Sequence, residues 1–524
     1  MSQIKPLEGE LFSPGYGLAI CLLLILLYTR RLYGVTSPHI PKLPPGPRSL
    51  PLIGNLHQIP RQNHWKTVQQ WHEIYGPIIS FRLGQRVAVS LGSHWAARQL
   101  LSRRGNACDS RPRLVVAGDC INKGLHPFLL PYGSRWRLHH RIQLELLAPH
   151  RIRSYRSLQD IESRQLLYDM LSSNDFSSHL RRYTASLVFT LAYGKRIDTL
   201  DREEINEAHQ ITEKVAQAAN QMGNLVVEAF PVLDYLPGFL APWRRIGNQF
   251  YERTLSFFTH QMLQGQRSPT WNWTKHVIEM KESETLDTKE IAYLLGALYE
   301  GGSETTAAAI EIFVLACVLH PECVKHAQIE LDQVVGSNRL PCFSDKAHLS
   351  YICAFTKEVL RWRPLTPLGV PHAPTQDIDF LGYHIPAGTT IFPNNWTIDQ
   401  DNEVFEDSCA FRPSRWLEEP SLPLSTFGFG RRACVGKVLA ENSLYLVISR
   451  LLWGYNISRA VENGLKVHVD PWNMKQGIIS APAPFRADFQ VRSEDHGAVI
   501  KFEWESAEKD GDLIMSKINS AVEK

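Results

Sequence analysis

The sequence predicts a mainly α-helical body with small β-sheets, preceded by one N-terminal transmembrane helix. Three observations carry this. A charge-free apolar run extends from Leu11 to Thr29. Amphipathic, Ala/Leu/Glu-rich stretches recur through most of the chain beyond it. Four short β-like runs, each with turn punctuation, are set among them.

The bulk numbers bound what such a chain does. With 524 residues, 44% of them hydrophobic, it has enough apolar material for a large core and a buried pocket without disulfide or metal staples. The net charge of +3, from 56 Lys+Arg against 53 Asp+Glu spread over the whole length, leaves no basic stripe, so nucleic acid is not an expected partner. Nine scattered cysteines with no C-x-x-C pair fit neither a disulfide framework nor a zinc site and point to a reducing compartment.

Taken in chain order, the first element is the anchor, residues 1–30. Its roughly nineteen charge-free residues reach about 28 Å as helix, close to a hydrocarbon thickness of ~30 Å. A cleaved signal peptide places basic residues before the apolar run and small ones after it, whereas here Lys5, Glu8 and Glu10 precede and Arg30 and Arg31 follow. With Arg30, Arg31, Lys42 and Arg48 all on the C-terminal side, the positive-inside rule puts the body in the cytosol. Residues 31–48 follow as a Pro-rich elbow, Leu43-Pro-Pro-Gly-Pro-Arg48, in which the prolines fix φ and exclude helix.

Residues 49–524 read as one domain without repeats or a dividing linker. Helical periodicity is expected near 157–172, 184–193, 203–222, 288–319, 321–335, 350–362 and 436–453, and strands at 78–82, 86–90, 380–383 and 389–392. After about residue 497 the chain turns polar and charged and is expected to be partly mobile. The Asn-x-Ser/Thr sequons at Asn272, Asn395 and Asn456 would stay unmodified in a cytosolic body.

The segment that carries chemistry is Phe427-Gly-Phe-Gly-Arg-Arg-Ala-Cys-Val-Gly436, followed by a helical pattern. A Cys behind a Gly-rich turn at a helix N-terminus receives backbone N–H groups and the positive end of the dipole, which favours thiolate and tunes a bound metal. Gly430 and Gly436 would let backbone approach a flat ring, and Arg432 can pair with a carboxylate. The full pattern F-x-x-G-x-R-x-C-x-G resembles the haem-binding signature of the cytochrome P-450 family. The resemblance covers nearly the whole chain. It implies that Cys434 is the axial ligand of heme b, iron protoporphyrin IX, with Phe427 and Arg432 beside the cofactor.

Other segments match the same family in the expected order. Glu358-Val-Leu-Arg361 resembles its E-x-x-R helix, and Phe411-Arg-Pro-Ser-Arg-Trp416 the segment that supplies Arg415. The resemblance makes Glu358, Arg361 and Arg415 a structural network bracing the thiolate loop. Tyr132-Gly-Ser-Arg-Trp-Arg-Leu-His-His-Arg141 resembles the W-R-x-x-R helix, placing Trp136 and residue 140 at the haem propionates, although His140 stands where Arg is commoner. His372 resembles a propionate-contacting His. Each of these histidines, taken singly, reads first as a structural residue.

In Ala297-Leu-Tyr-Glu-Gly-Gly-Ser-Glu-Thr-Thr306 a helical stretch meets a Gly pair, then an acid and an alcohol. Two glycines in a helix imply close approach or a kink. The segment resembles the family's (A/G)-G-x-(D/E)-T-(T/S) motif, which implies that Gly302 lies over the haem and that Glu304 and Thr305 deliver protons to dioxygen.

The resemblance therefore implies a monooxygenase that oxidises a small hydrophobic substrate with dioxygen and with single electrons from outside, since no flavin or nicotinamide fingerprint is present. The implied partners are NADPH-cytochrome P-450 reductase, with Arg137, Arg141, Arg431 and Lys437 as a docking patch, and the lipid of the endoplasmic reticulum membrane. Two rivals are a haem-thiolate isomerase needing neither dioxygen nor reductase, and a haem-binding sensor without turnover. The overall style resembles fungal microsomal enzymes of secondary metabolism, and hydroxylation, desaturation and oxidative coupling all stay open. Pocket residues are expected within 110–130, 210–250, 294–306, 365–371 and 478–486.

Overall fold

The structure is a computed structural model that describes residues 42–522 apart from 200, 220 and 221, so the expected anchor at 1–30 lies outside the described residues. The C-terminal end of the elbow is not a free linker. Ser80 donates its backbone N–H to Pro45 O (2.8 Å) and its hydroxyl to Pro44 O (2.5 Å). Gly46 allows this docking, because a Cβ there would lie 1.8 Å from the Ser80 carbonyl oxygen.

Helix α1 (His64–Tyr75) leads into the antiparallel hairpin β1 (Ile78–Leu83) and β2 (Arg86–Leu91). A helical run follows: α2 (Ser134–Leu146), α3 (Pro149–Asp169), α4 (Phe176–Tyr193), α5 (Glu203–Ala219), α6 (Met222–Ala229) and α7 (Pro242–Arg267). Then come the long α8 (Thr288–Leu319), α9 (Pro321–Val334) and α10 (Ser350–Trp362), each where the periodicity predicts it. The single strand expected at 380–383 is instead a hairpin, β3 (Ile378–Phe380) and β4 (Tyr383–Ile385). Leu381 and Gly382 form its turn at φ of 54° and 79°, the left-handed pair that a two-residue hairpin loop requires. Strand β5 (Thr390–Pro393) returns to pair parallel with β2.

Helix α11 (Lys437–Gly454) follows the Cys434 loop, and β6 (Tyr455–Arg459) pairs with residues 487–491. The charged stretch after about 497, expected to be partly mobile, is two packed helices, α12 (Glu494–Glu505) and α13 (Gly511–Val522). Ile514, Met515 and Ile518 are buried against Ile142, Tyr155 and Ile161. Three apolar positions on one face suffice to dock an otherwise polar helix, at about 1.5–3 kcal/mol for each large side chain removed from water. Asn272 and Asn395 are buried in the body and inaccessible to glycosylation, whereas Asn456 is exposed.

Helix α8 organises the interior. It opens on a capping box, in which the Asp287 carboxylate accepts from Glu290 N (2.9 Å) and Glu290 returns to Asp287 N (3.2 Å). It packs on α4, α7, α10 and α11. Phe313, Val314 and Leu315 of α8, Phe355 of α10, and Leu446 and Val447 of α11 share one core cluster. Among the described residues α8 alone is long and apolar enough to cross a membrane, but it is buried inside the protein.

Between Ala292 and Phe313 of this helix the residues that escape full burial are Ala297, Glu300, Gly301, Gly302, Glu304 and Thr305. All but Gly302 follow the spacing i, i+3, i+4, i+7, i+8, which is a single helix face. A mostly buried helix thus carries one open stripe in its middle.

Candidate functional site

Cys434 sits between a short 3₁₀ turn (Gly430–Arg432) and the start of α11. Its backbone N–H donates to Phe427 O (2.8 Å), which closes the loop beneath the side chain. Cys434 is exposed, yet desolvation by the loop packed around its sulfur raises the thiol, while the Gly436 N–H opposes this. The Gly436 N–H at the helix start acts in the direction expected of it, towards thiolate. Gly430 has φ of 60°, and a Cβ there would meet the Leu101 carbonyl oxygen at 2.1 Å, so the glycine admits a neighbouring backbone.

Arg432 donates to Asp109 O and Leu130 O (2.7 Å each), and its guanidinium lies 4.2 Å from the Trp136 ring centroid. Trp136 in turn stacks on His140, centroids 4.6 Å apart. Their separation of four residues on α2 produces this pairing. His372 is buried, with its Nδ1 3.0 Å from Cys108 O, and burial followed by the Arg111 charge pushes its imidazole down to about 3. With Nδ1–H donated to a carbonyl, a carboxylate reaching Nε2 would need the second ring proton as well.

Sequence reasoning missed a member of this group. Arg111 is buried, donates to Phe128 O (3.2 Å) and Pro371 O (2.7 Å), and is lowered to about 9 by burial and the nearby Arg432 charge. Asp109-Ser-Arg-Pro-Arg113 offered no local signal beyond one more Arg in a stretch already rich in arginine. Asp109 is the carboxylate of the cluster, buried, with both oxygens lacking a hydrogen bond and Arg431 Nη1 at 3.5 Å. The buried Arg111 guanidinium and the half-buried Arg432 guanidinium against the one Asp109 carboxylate leave an excess of cationic donors. Such a wall suits a ligand bringing two carboxylates of its own.

The Glu358 network is fully formed and buried. Arg361 donates to both carboxylate oxygens of Glu358 (2.7 and 2.9 Å), Arg415 Nε to Oε1 (3.2 Å) and Trp416 Nε1 to Oε2 (2.9 Å). Arg361 also donates to Asp399 O (2.8 Å), and the Asp399 carboxylate accepts from Ser425 Oγ (2.7 Å) at the start of the Cys434 loop. A second tie runs from Thr426 Oγ1 to Leu360 O (2.9 Å). Removing one partner of a buried pair costs about 3–5 kcal/mol. Glu358→Ala is therefore expected to yield misfolded or cofactor-free protein, measured as the haem-to-protein ratio and the loss of soluble folded enzyme after detergent extraction. A variant with normal haem content would remove the bracing role.

Helix α8 runs continuously through Gly301 and Gly302, and of the close approach or kink expected of the pair it is the close approach that the structure shows. The two glycines have separate reasons. A Cβ at Gly302 would lie 2.7 Å from Val188 of α4, so this glycine permits close helix packing, whereas a Cβ at Gly301 would meet nothing within 4 Å. The open position is Gly301, the glycine that stands where the family more often has Ala and that is expected to leave extra room. One turn on, Thr305 Oγ1 donates to Gly301 O (2.6 Å). Glu304 Oε1 stands 3.7 Å from His209 Nδ1 of α5, and Arg181 of α4 donates to the other nitrogen of that ring (3.3 Å). Burial pushes the Glu304 carboxyl up, but His209, Arg181 and Lys475 together hold it below its ordinary value. Two of the segments expected to line a pocket meet each other: Val115, Val116, Cys120 and Ile121 cluster with Val227 and Trp243.

Comparison with known proteins agrees with this geometry. The family model described as cytochrome P-450 matches residues 44–485. The chain is 44% identical to cytochrome P-450 monooxygenase aneD of Aspergillus aculeatus, over 96% of this chain and 99% of that protein. It is 42% identical to cytochrome P-450 monooxygenase FrzL of a Cladobotryum species, over 91% and 93% of the two chains. Cytochrome P-450 monooxygenase drtD of Aspergillus calidoustus is likewise 42% identical, over 95% and 93%.

Proposed function

Because this chain belongs to the cytochrome P-450 family, whose members are haem-thiolate monooxygenases, we propose that Cys434 holds the iron of heme b and that the enzyme oxidises a small hydrophobic molecule of fungal secondary metabolism. The observation that carries this is the meeting of Cys434 with a donor-rich wall made by Arg432, Arg111, Trp136, His140 and His372. Arg432 and Arg111 would hold the carboxylates of the haem, with Trp136, His140 and His372 beside them. When bound, the haem binds dioxygen, and its thiolate ligand favours O–O cleavage.

The chain's own work lies on α8. Thr305 has given its hydroxyl proton to the Gly301 carbonyl, so it offers lone pairs to the open stripe and holds a proton-bearing group there. Gly301 leaves the room for that group. Glu304, kept ionised by His209, Arg181 and Lys475, takes protons arriving from solvent and passes them towards Thr305. Product formation that consumes NADPH and dioxygen together tests the assignment. Turnover of a hydroperoxide with neither would instead identify an isomerase, and haem binding without substrate-dependent NADPH consumption a sensor.

Electrons come in this reading from NADPH-cytochrome P-450 reductase. Arg137 and Arg431 flank the Tyr132 ring at 5.6 and 5.8 Å, and with exposed Lys437 they form a cationic surface near the Cys434 loop for an acidic partner. The body also offers lipid a surface. Tyr235 and Phe239 are 86% and 85% exposed, with Val232 and Leu240 beside them, and Leu50, Leu52 and Ile53 emerge across the hairpin turn, where Gly84 N meets Ile53 O and Gln85 N meets Ala229 O. Placed on the endoplasmic reticulum membrane, this rim and the N-terminal anchor are two independent attachments. Deleting residues 1–30 is expected to lower membrane association while leaving a remainder that Tyr235→Asp with Phe239→Asp removes, read by flotation. Full release on deletion alone would discount the rim, and full retention after carbonate washing would discount the single anchor.

A further inference from the structure

We propose that Glu300 is a specificity-determining residue that selects hydrophobic substrates carrying a protonated amine, with His126 occupying the carboxylate until such a substrate displaces it. The inference rests on the monooxygenase reading above and names its substrate class.

Glu300 lies on the open stripe of α8, three residues after Ala297 and immediately before Gly301, on the face that carries Glu304 and Thr305. A carboxylate here stands beside the position where a Cβ would meet nothing within 4 Å, next to Gly301, whose carbonyl accepts the Thr305 hydroxyl. Neither the acid–alcohol pair nor the buried network uses it. Its partner is His126, whose Nε2 lies 3.2 Å from Glu300 Oε2, with side chains 16% and 26% exposed.

His126 belongs to a loop that is part of the site. Phe128 O of that loop accepts from Arg111, and Leu130 O accepts from Arg432, two residues before Cys434. The loop is therefore fastened to the donor-rich wall on one side and reaches the open stripe with His126 on the other. A substrate lying between them meets Glu300.

The chemistry of that meeting is selective. An ionised carboxylate accepts about four hydrogen bonds and donates none. His126 supplies one, and Oε1 has no donor among the described residues. A ligand that presents only C–H to this carboxylate strips its solvent and returns nothing, which is unfavourable. A protonated amine returns a charge-assisted hydrogen bond, stronger than a neutral hydroxyl can offer. The pair with His126 is also a loop-to-helix tie, and the experiment has to separate that role from recognition.

Imidazoles that ligate iron through nitrogen provide the probe, because binding is read from the haem absorption band without turnover. Full-length holoenzyme in membranes is titrated with 1-(3-aminopropyl)imidazole and the near-isosteric 1-butylimidazole, then with longer pairs of the same kind. At the tail length that reaches Glu300, the ammonium ligand is expected to bind roughly 10- to 100-fold tighter than its alkyl partner. Glu300→Gln keeps an acceptor for His126, so it should erase that preference and leave the alkyl series unchanged. His126→Gln should tighten the ammonium ligands alone. No ammonium preference at any tail length, or the same preference in Glu300→Gln as in the parent, overturns the proposal. His126→Gln weakening every ligand alike would show the contact to be a structural tie. A failure of every imidazole to shift the haem band would instead count against the haem-thiolate reading itself.

Discussion

Replacing Cys434 with Ala is expected to abolish the thiolate-specific absorption of the reduced carbon monoxide complex, and all turnover with it. The sulfur is carried by a loop held by Phe427 O and by the Glu358 network through Asp399 and Ser425. Among the described residues no group of three or more His, Cys, Asp or Glu offers an alternative metal site. The loop itself should survive the change, since its ties are made by backbone and by Ser425 and Thr426 rather than by the sulfur. Exposed Cys409 provides the control, because Cys409→Ala should leave the spectrum untouched. The measurement is the reduced carbon monoxide difference spectrum of both variants in the same membranes. A normal spectrum from Cys434→Ala would sink the ligand assignment.

Thr305→Ala is expected to leave the ligand bond and the first electron transfer intact, because the hydroxyl takes part in neither. The loss falls on proton handling. Thr305 Oγ1 is held by the Gly301 carbonyl, so its lone pairs keep one orientation towards the open stripe. Without them the proton-bearing group in that space is no longer positioned, and reducing equivalents leave as hydrogen peroxide. Acid–base positioning contributes about 10²- to 10⁴-fold, so product per NADPH should fall steeply while NADPH consumption continues. Thr305→Ser should restore coupling, since it keeps the oxygen and the bond to Gly301. Glu304→Gln should differ in kind, because an amide cannot relay a proton, and the whole cycle should slow rather than leak. A paired assay of NADPH, peroxide and product for the three variants separates these outcomes. Unchanged coupling in Thr305→Ala would point to protons supplied by the substrate.

The elements that could be read locally were those whose cause is local. The helix at 288–319 was legible because its periodicity lies in contiguous residues, and its capping acid Asp287 stands immediately before the run. The Cys434 loop was legible because turn, cation and thiol lie within ten residues. Leu381-Gly382 is a short-range signal too, but the apolar residues on both sides disguised two strands as one.

Where a residue's role depends on what the chain brings to it from far away, the sequence was silent. Gly301 and Gly302 are adjacent and chemically identical, and only the position of Val188 on another helix decides which one faces open space. Arg111 joins Arg432 and His372 across more than 250 residues, and no pattern in the intervening chain records it. His209 reaches Glu304, and His126 reaches Glu300, by the same long-range packing. What the sequence by itself determined is the set of reactive groups and their local spacing: Cys434 at a helix start, Glu304 and Thr305 in successive positions, and Glu358 three residues before Arg361. Only the tertiary structure decided which face of α8 stays open, which cations gather around the thiolate loop, and which residues border the substrate, because burial and charge proximity belong to the packed interior and not to any stretch of chain.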